Sequence, residues 1–127
     1  RMAGVRTRQT SSTSALHHLP TIEHVRAVDN LPEILQVQGL DAILVGPYDL
    51  SASLGLTGRF EHPDFEAAMQ RVRALSDEHR IACGVHVVMP DPSTLHRRIA
   101  DGYRFIAYGI DAVFLNTASG SPRNQIP

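Results

Sequence analysis

From Leu19 onward, short apolar runs alternate with stretches whose apolar residues recur at helical spacing. No other feature of the chain constrains its fold as much. A brief strand ends at Ile22-Glu23. Val28, Leu31, Ile34 and Leu35 then fall at helical spacing within 25–37, where Pro32 is expected to bend or restart the helix. The run from Leu40 to Val45 reads as a strand buried on both faces, ending in Gly46-Pro47, and Leu50 to Leu54 as a short helix. A longer helix is predicted from Pro63 to Glu78, because Phe65, Ala68, Met69, Val72 and Leu75 share one face. Ile81 to Val88 is the next strand. Asp91-Pro92 has the form of a helix cap, Leu95 and Ile99 are expected to face the sheet, and Gly102 ends that helix. Arg104 to Tyr108 is the last strand, followed by the apolar run Ala112 to Leu115, with room for one more short helix. Strands and helices in strict alternation imply parallel strands joined by right-handed crossovers.

The chain has 127 residues, about half of the roughly 250 that a complete barrel of eight such units needs. The expected fold class is therefore α/β, a partial TIM (β/α)8 barrel of about four units spanning residues 19–116. Residues 1–18, with Arg1, Arg6 and Arg8 and then a Ser/Thr run, read as a disordered lead-in, and 117–127 as a tail. Apolar residues make up 43% and charged residues 20%, enough for a core. A formal charge of −1 gives no electrostatic reason to expect nucleic acid or an anionic membrane as partner. Cys83 is the single cysteine, so neither an intrachain disulfide nor a multi-cysteine zinc site can form, and a cytoplasmic setting is expected. No apolar run approaches a membrane span or a signal core.

In barrels of this kind, the loops after the strands open onto one face and carry the chemistry. Glu23 and Asp49 both follow predicted strands, one βα step apart, so neighbouring strands would bring the two carboxylates together. Hard divalent cations take such oxygen ligands, with water and substrate completing the shell. The simpler reading is a solvated Glu23 and an Asp49 that caps a helix starting at Leu50. The segment Gly46-Pro47-Tyr48-Asp49-Leu50-Ser51 favours function, since a buried strand there turns directly into a helix start whose N–H groups could meet an anion. Other candidates have plainer roles: His86 as a hydrogen-bonded strand residue, His24 as an exposed helix start, Cys83 as a small buried residue, Arg97-Arg98 as a solvated helix face. Tyr48 either lines a pocket mouth or packs.

Ile22-Glu23, Asn30-Leu31, Gly39-Leu40-Asp41 running into GPYDLSASLG (Gly46 to Gly55), and FIAYGIDAVFL (Phe105 to Leu115) together resemble the C-terminal half of the HpcH/HpaI aldolase family, class II aldolases acting on 4-hydroxy-2-oxo acids. GPYDLS is the specific element. The resemblance implies a lyase that releases pyruvate and an aldehyde, with Glu23 and Asp49 as metal ligands for magnesium, manganese or cobalt. It also implies that the backbone at Tyr48 and Asp49 holds the pyruvate carboxylate, that the metal stabilises the pyruvate enolate, and that the protein self-associates as a homo-oligomer. The sequence contains no lysine, so a Schiff-base mechanism is excluded. The family has glutamine two positions before the metal-binding glutamate; here Thr21 stands there as a candidate substrate contact with shorter reach. The family's catalytic histidine and arginine lie in the N-terminal half, which has no counterpart in this chain, so no catalytic residue is assigned. A fragment that is inactive alone, or a non-catalytic module binding a 2-oxo acid and a metal, are the alternatives. An acyl-CoA lyase of the citrate-lyase β type fits the GPYDLS form less well.

Overall fold

The computed structural model describes residues 18–120. The expected lead-in falls almost wholly outside them, as does most of the expected tail. Four parallel strands, β1 (Thr21–Ile22), β2 (Ala42–Val45), β3 (Ala82–Val87) and β4 (Phe105–Tyr108), form one sheet in sequence order. Between and after them run α1 (Val25–Asp29), α2 (Leu31–Ile34), α3 (Pro47–Ser53), α4 (Pro63–His79), α5 (Pro92–Ala100) and α6 (Asp111–Ser119). This is the expected partial barrel.

Side-chain alternation along the strands sorts the sheet into two faces. Ile22, Ile43, Val45, Cys83 and Val85 point to one face and join Val28, Leu31 and Leu35 of the first helical stretch and Phe65, Ala68, Met69 and Val72 of α4 in a single core. Leu44, Gly84, His86, Phe105 and Ala107 point to the other, and none of them belongs to that core. In a closed barrel that second face would look inward. Gly84 is needed there because the Phe105 ring lies where a Cβ would stand.

The local chemistry explains the element ends. α4 starts at Pro63, whose missing N–H costs nothing in a first turn, and His62 caps it by accepting from Asp64 N at 3.2 Å. It ends on Arg80 in the left-handed region, φ 59°, with Ile81 N donating to Ser76 O at 2.9 Å. Asp91 caps α5 as its Asp-Pro signature predicts. Hydrogen bonds from Ser93 and Thr94 hold its carboxyl well below the usual carboxylate range.

Several details differ from the sequence expectation. The helix restart expected at Pro32 is not among them: the first helical stretch breaks at Asn30, and Pro32 sits in the first turn of α2. α3 begins at Pro47, three residues earlier than predicted, because Gly46 in extended conformation supplies the N-cap. Ile99 does not face the sheet; it is 56% exposed, since α5 buries none of its residues fully. Arg98 is not a solvated residue either. Its side chain is only 16% exposed, folded over the Tyr103 ring and paired with Asp101 at 3.3 Å, while Arg73 approaches the same ring. Finally, α6 runs through Thr117 to Ser119.

Candidate functional site at the strand ends

β1 and β2 pair in register through Thr21↔Leu44 and Ile22↔Val45, so the residues that follow, Glu23 and Gly46, leave the sheet side by side. Gly46 N donates to Ile22 O at 3.1 Å and fixes that level. The Glu23 side chain lies across Gly46: a Cβ at position 46 would be 2.9 Å from its Cγ and 3.2 Å from Oε1. Only glycine permits that close approach. Asp49 stands in the first turn of α3, directly beyond β2. Both carboxylates therefore occupy the C-terminal end of adjacent parallel strands. Both are exposed, and neither has a hydrogen-bond or ion-pair partner among the described residues. Asp49 does not cap the helix, because the cap position belongs to Gly46 and Asp49 lies three residues inside.

The start of α3 also presents donors. Pro47 has no N–H, and the first intrahelical bond runs from Leu50 N to Gly46 O at 3.0 Å. That leaves the N–H groups of Tyr48 and Asp49 without intrahelical acceptors at the positive end of the turn. Tyr48 packs: its ring meets Phe60 edge-on at 4.8 Å, although the residue remains 41% exposed. Thr21 is exposed and shares a sheet face with Glu23.

Two serines matter that sequence reasoning missed. Ser53 Oγ accepts from Val25 N at 2.9 Å and donates to Leu50 O at 2.7 Å, tying the loop after Glu23 to the helix that carries Asp49. Ser51, fully buried, donates to Tyr48 O at 2.7 Å and accepts from Gly58 N at 3.0 Å, which holds the following loop against α3. Two serines within GPYDLSAS were the only available hint, and the contact from Ser53 to Val25 spans too much sequence to be read from spacing.

His24 caps α1, its Nδ1 accepting from Arg26 N at 3.1 Å, as an exposed helix start should. Cys83 is buried, and burial pushes its thiol up to about 11. It is thus a packing residue. His86 Nε2 lies 3.3 Å from Gly109 O. Among the described residues no cluster of three or more His, Cys, Asp or Glu side chains that could hold a metal ion comes together. Nor is any described helix long and apolar enough to cross a membrane.

Known proteins share this architecture. The chain is 38% identical over 104 residues to 2-keto-3-deoxy-L-rhamnonate aldolase of Escherichia coli K12, covering 79% of this chain and 37% of the relative. Among solved structures it resembles an HpcH/HpaI aldolase/citrate lyase family protein from Burkholderia cenocepacia J2315, with a TM-score of 0.75, 34% identity, and coverage of 84% of this chain and 41% of the other. It also resembles the HpcH/HpaI aldolase of Desulfitobacterium hafniense DCB-2, with a TM-score of 0.76, 29% identity, and coverage of 86% and 43%. The chain spans well under half the length of these relatives. The family model described as HpcH/HpaI aldolase/citrate lyase matches residues 3–118, beginning inside the stretch that composition sets apart as a lead-in. With that match over nearly its whole length, the chain belongs to the HpcH/HpaI aldolase/citrate lyase family.

Proposed function

We propose that this chain carries the metal and 2-oxo-acid half-site of a class II aldolase that cleaves 4-hydroxy-2-oxo acids to pyruvate and an aldehyde. The observation that carries the reading is the pair Glu23 and Asp49 at the ends of adjacent parallel strands, with Glu23 laid over Gly46. Their exposed oxygens, free of protein partners among the described residues, are the hard donors that Mg, Mn or Co accept. When bound, the cation would supply Lewis-acid polarisation of the oxo acid. The chain's own groups bind and orient. The N–H groups of Tyr48 and Asp49 are suited to a substrate carboxylate, and Thr21 offers a hydroxyl on the face that bears Glu23. A relative named for a 2-keto acid agrees with that substrate class.

The second reading is a binding module without turnover. It needs only the Glu23–Asp49 pair and the N–H groups of Tyr48 and Asp49, all within the described residues. Both readings require manganese and pyruvate to bind together. Calorimetry with manganese, followed by pyruvate, tests that requirement; exchange of pyruvate methyl protons with solvent and pyruvate release from 4-hydroxy-2-oxo acids then separate enzyme from module. Absence of any manganese-dependent pyruvate binding would refute both.

A further inference from the structure

The level of Glu23 and Gly46 continues across the sheet. β2 and β3 pair through Val45↔Val85, so one step further Gly46 lies beside His86, and His86 in turn pairs with Ala107 of β4. Glu23, Gly46, His86 and Ala107 thus form one row on the face turned away from the helices. Within it only Glu23 and His86 have polar side chains. Adjacent strands are about 4.8 Å apart, so the backbones of Glu23 and His86 are separated by about 10 Å. The row beneath is apolar where it approaches His86: Leu44, then Gly84 covered by the Phe105 ring. A polar side chain stands over an apolar floor, two strands from Glu23 and one from the strand that leads to Asp49.

The orientation of His86 is set by its one hydrogen bond. Gly109 O can only accept, so Nε2 carries the hydrogen that bridges the 3.3 Å between them. Nδ1 has no partner among the described residues, and the ring is half-buried. The bond to Gly109 explains why the ring is held in place. It leaves the second nitrogen without a role.

We propose that His86 is a specificity-determining residue, its Nδ1 hydrogen-bonding a hydroxyl on the aldehyde-derived end of a polyhydroxylated 4-hydroxy-2-oxo acid, several carbons from the keto group. The inference rests on the oxo-acid reading of the Glu23–Asp49 end. A hydroxyl satisfies Nδ1 whether the ring accepts or, when charged, donates. A methyl or methylene at the same place would strip water from the nitrogen and return nothing, and sites with polar groups discriminate most strongly against analogues that leave those groups unpaired.

Calorimetry on the full chain with magnesium, using pyruvate, 4-hydroxy-2-oxohexanoate and 4,5,6-trihydroxy-2-oxohexanoate, tests this. The wild-type chain is expected to bind the trihydroxy acid about tenfold more tightly than the monohydroxy acid, the scale of one well-made hydrogen bond. His86→Leu should erase that preference while leaving pyruvate affinity unchanged, and His86→Gln should retain part of it. Persistence of the preference in His86→Leu, or its absence in the wild type, overturns the assignment. Failure of the wild type to bind pyruvate overturns the oxo-acid reading itself, a distinct outcome. Should the variants not fold, the imidazole nitrogen resonances of the wild type decide: the Nδ1 signal must move with the trihydroxy acid and stay in place with pyruvate.

Discussion

At the scale of single residues, the carboxylate pair and the buried thiol make the sharpest demands. On the proposed metal site, neutralising one carboxylate while keeping its shape, Glu23→Gln or Asp49→Asn, should weaken manganese binding by about 100-fold or more, since even outer-sphere partners of metal ligands are worth roughly 10- to 100-fold. Electron paramagnetic resonance of free manganese would measure it, and an unchanged affinity would refute the assignment of that residue. Ser53→Ala touches no ligand but severs the tie to Val25, so a weakening of about tenfold is expected by the same comparison. Cys83 and Tyr103 set an alkaline limit. Burial raises the thiol from 9.0 to about 11 and the phenol from 10.0 to about 12. Between those values the folded chain retains protons that the unfolded chain has lost, so stability falls as pH rises from about 9 to about 12. Chemical denaturation at pH 8 and pH 10.5 should show a loss on the order of 2 kcal/mol, mostly from Cys83. Equal midpoints at the two pH values would contradict it.

At the scale of elements, α4 is the best test of how local sequence sets a boundary. Arg80 holds a left-handed conformation that glycine adopts without cost, so Arg80→Gly should stabilise the chain by about 0.5 to 1 kcal/mol, visible as a raised midpoint in thermal melting. A lower midpoint would mean that the Arg80 side chain contributes more than its backbone costs. α4 was legible because its apolar residues from Phe65 to Leu75 form one stripe behind a proline start, although its end on a left-handed Arg80 carries no glycine to announce it. The break before Pro32 and the cap at Asp91 were legible for similar reasons. The early start of α3 was not, because Gly-Pro after a strand signals a turn as readily as a cap and first turn. Ile99 misled because helical periodicity tells which residues share a face but not whether a neighbouring element covers it. Glu23 and Asp49 could be placed by strand order alone. The Ser53–Val25 bond depends on how the end of α3 meets the start of α1 across 28 residues, and His86 rose above its plain strand role only once the register levelled it with Glu23.

At the scale of the whole molecule, the dominant fact is a four-stranded sheet with helices packed on one side and a second face of Leu44, Phe105, Ala107 and His86 outside the core. On α6, Phe114 is 47% and Leu115 69% exposed. Open strand edges and uncovered apolar surface favour association. Light scattering coupled to size separation is accordingly expected to find the isolated chain at more than one copy per particle, and Phe105→Asp to shift it toward single chains; a monodisperse monomer at high concentration would contradict this. Whatever covers that face in the cell, the bridge from Ser53 to the backbone of Val25 lies wholly within this four-strand unit. The loop that follows Glu23 and the helix that bears Asp49 are thereby locked to each other by a contact local to these four strands, and the two acidic groups inherit their mutual placement from it.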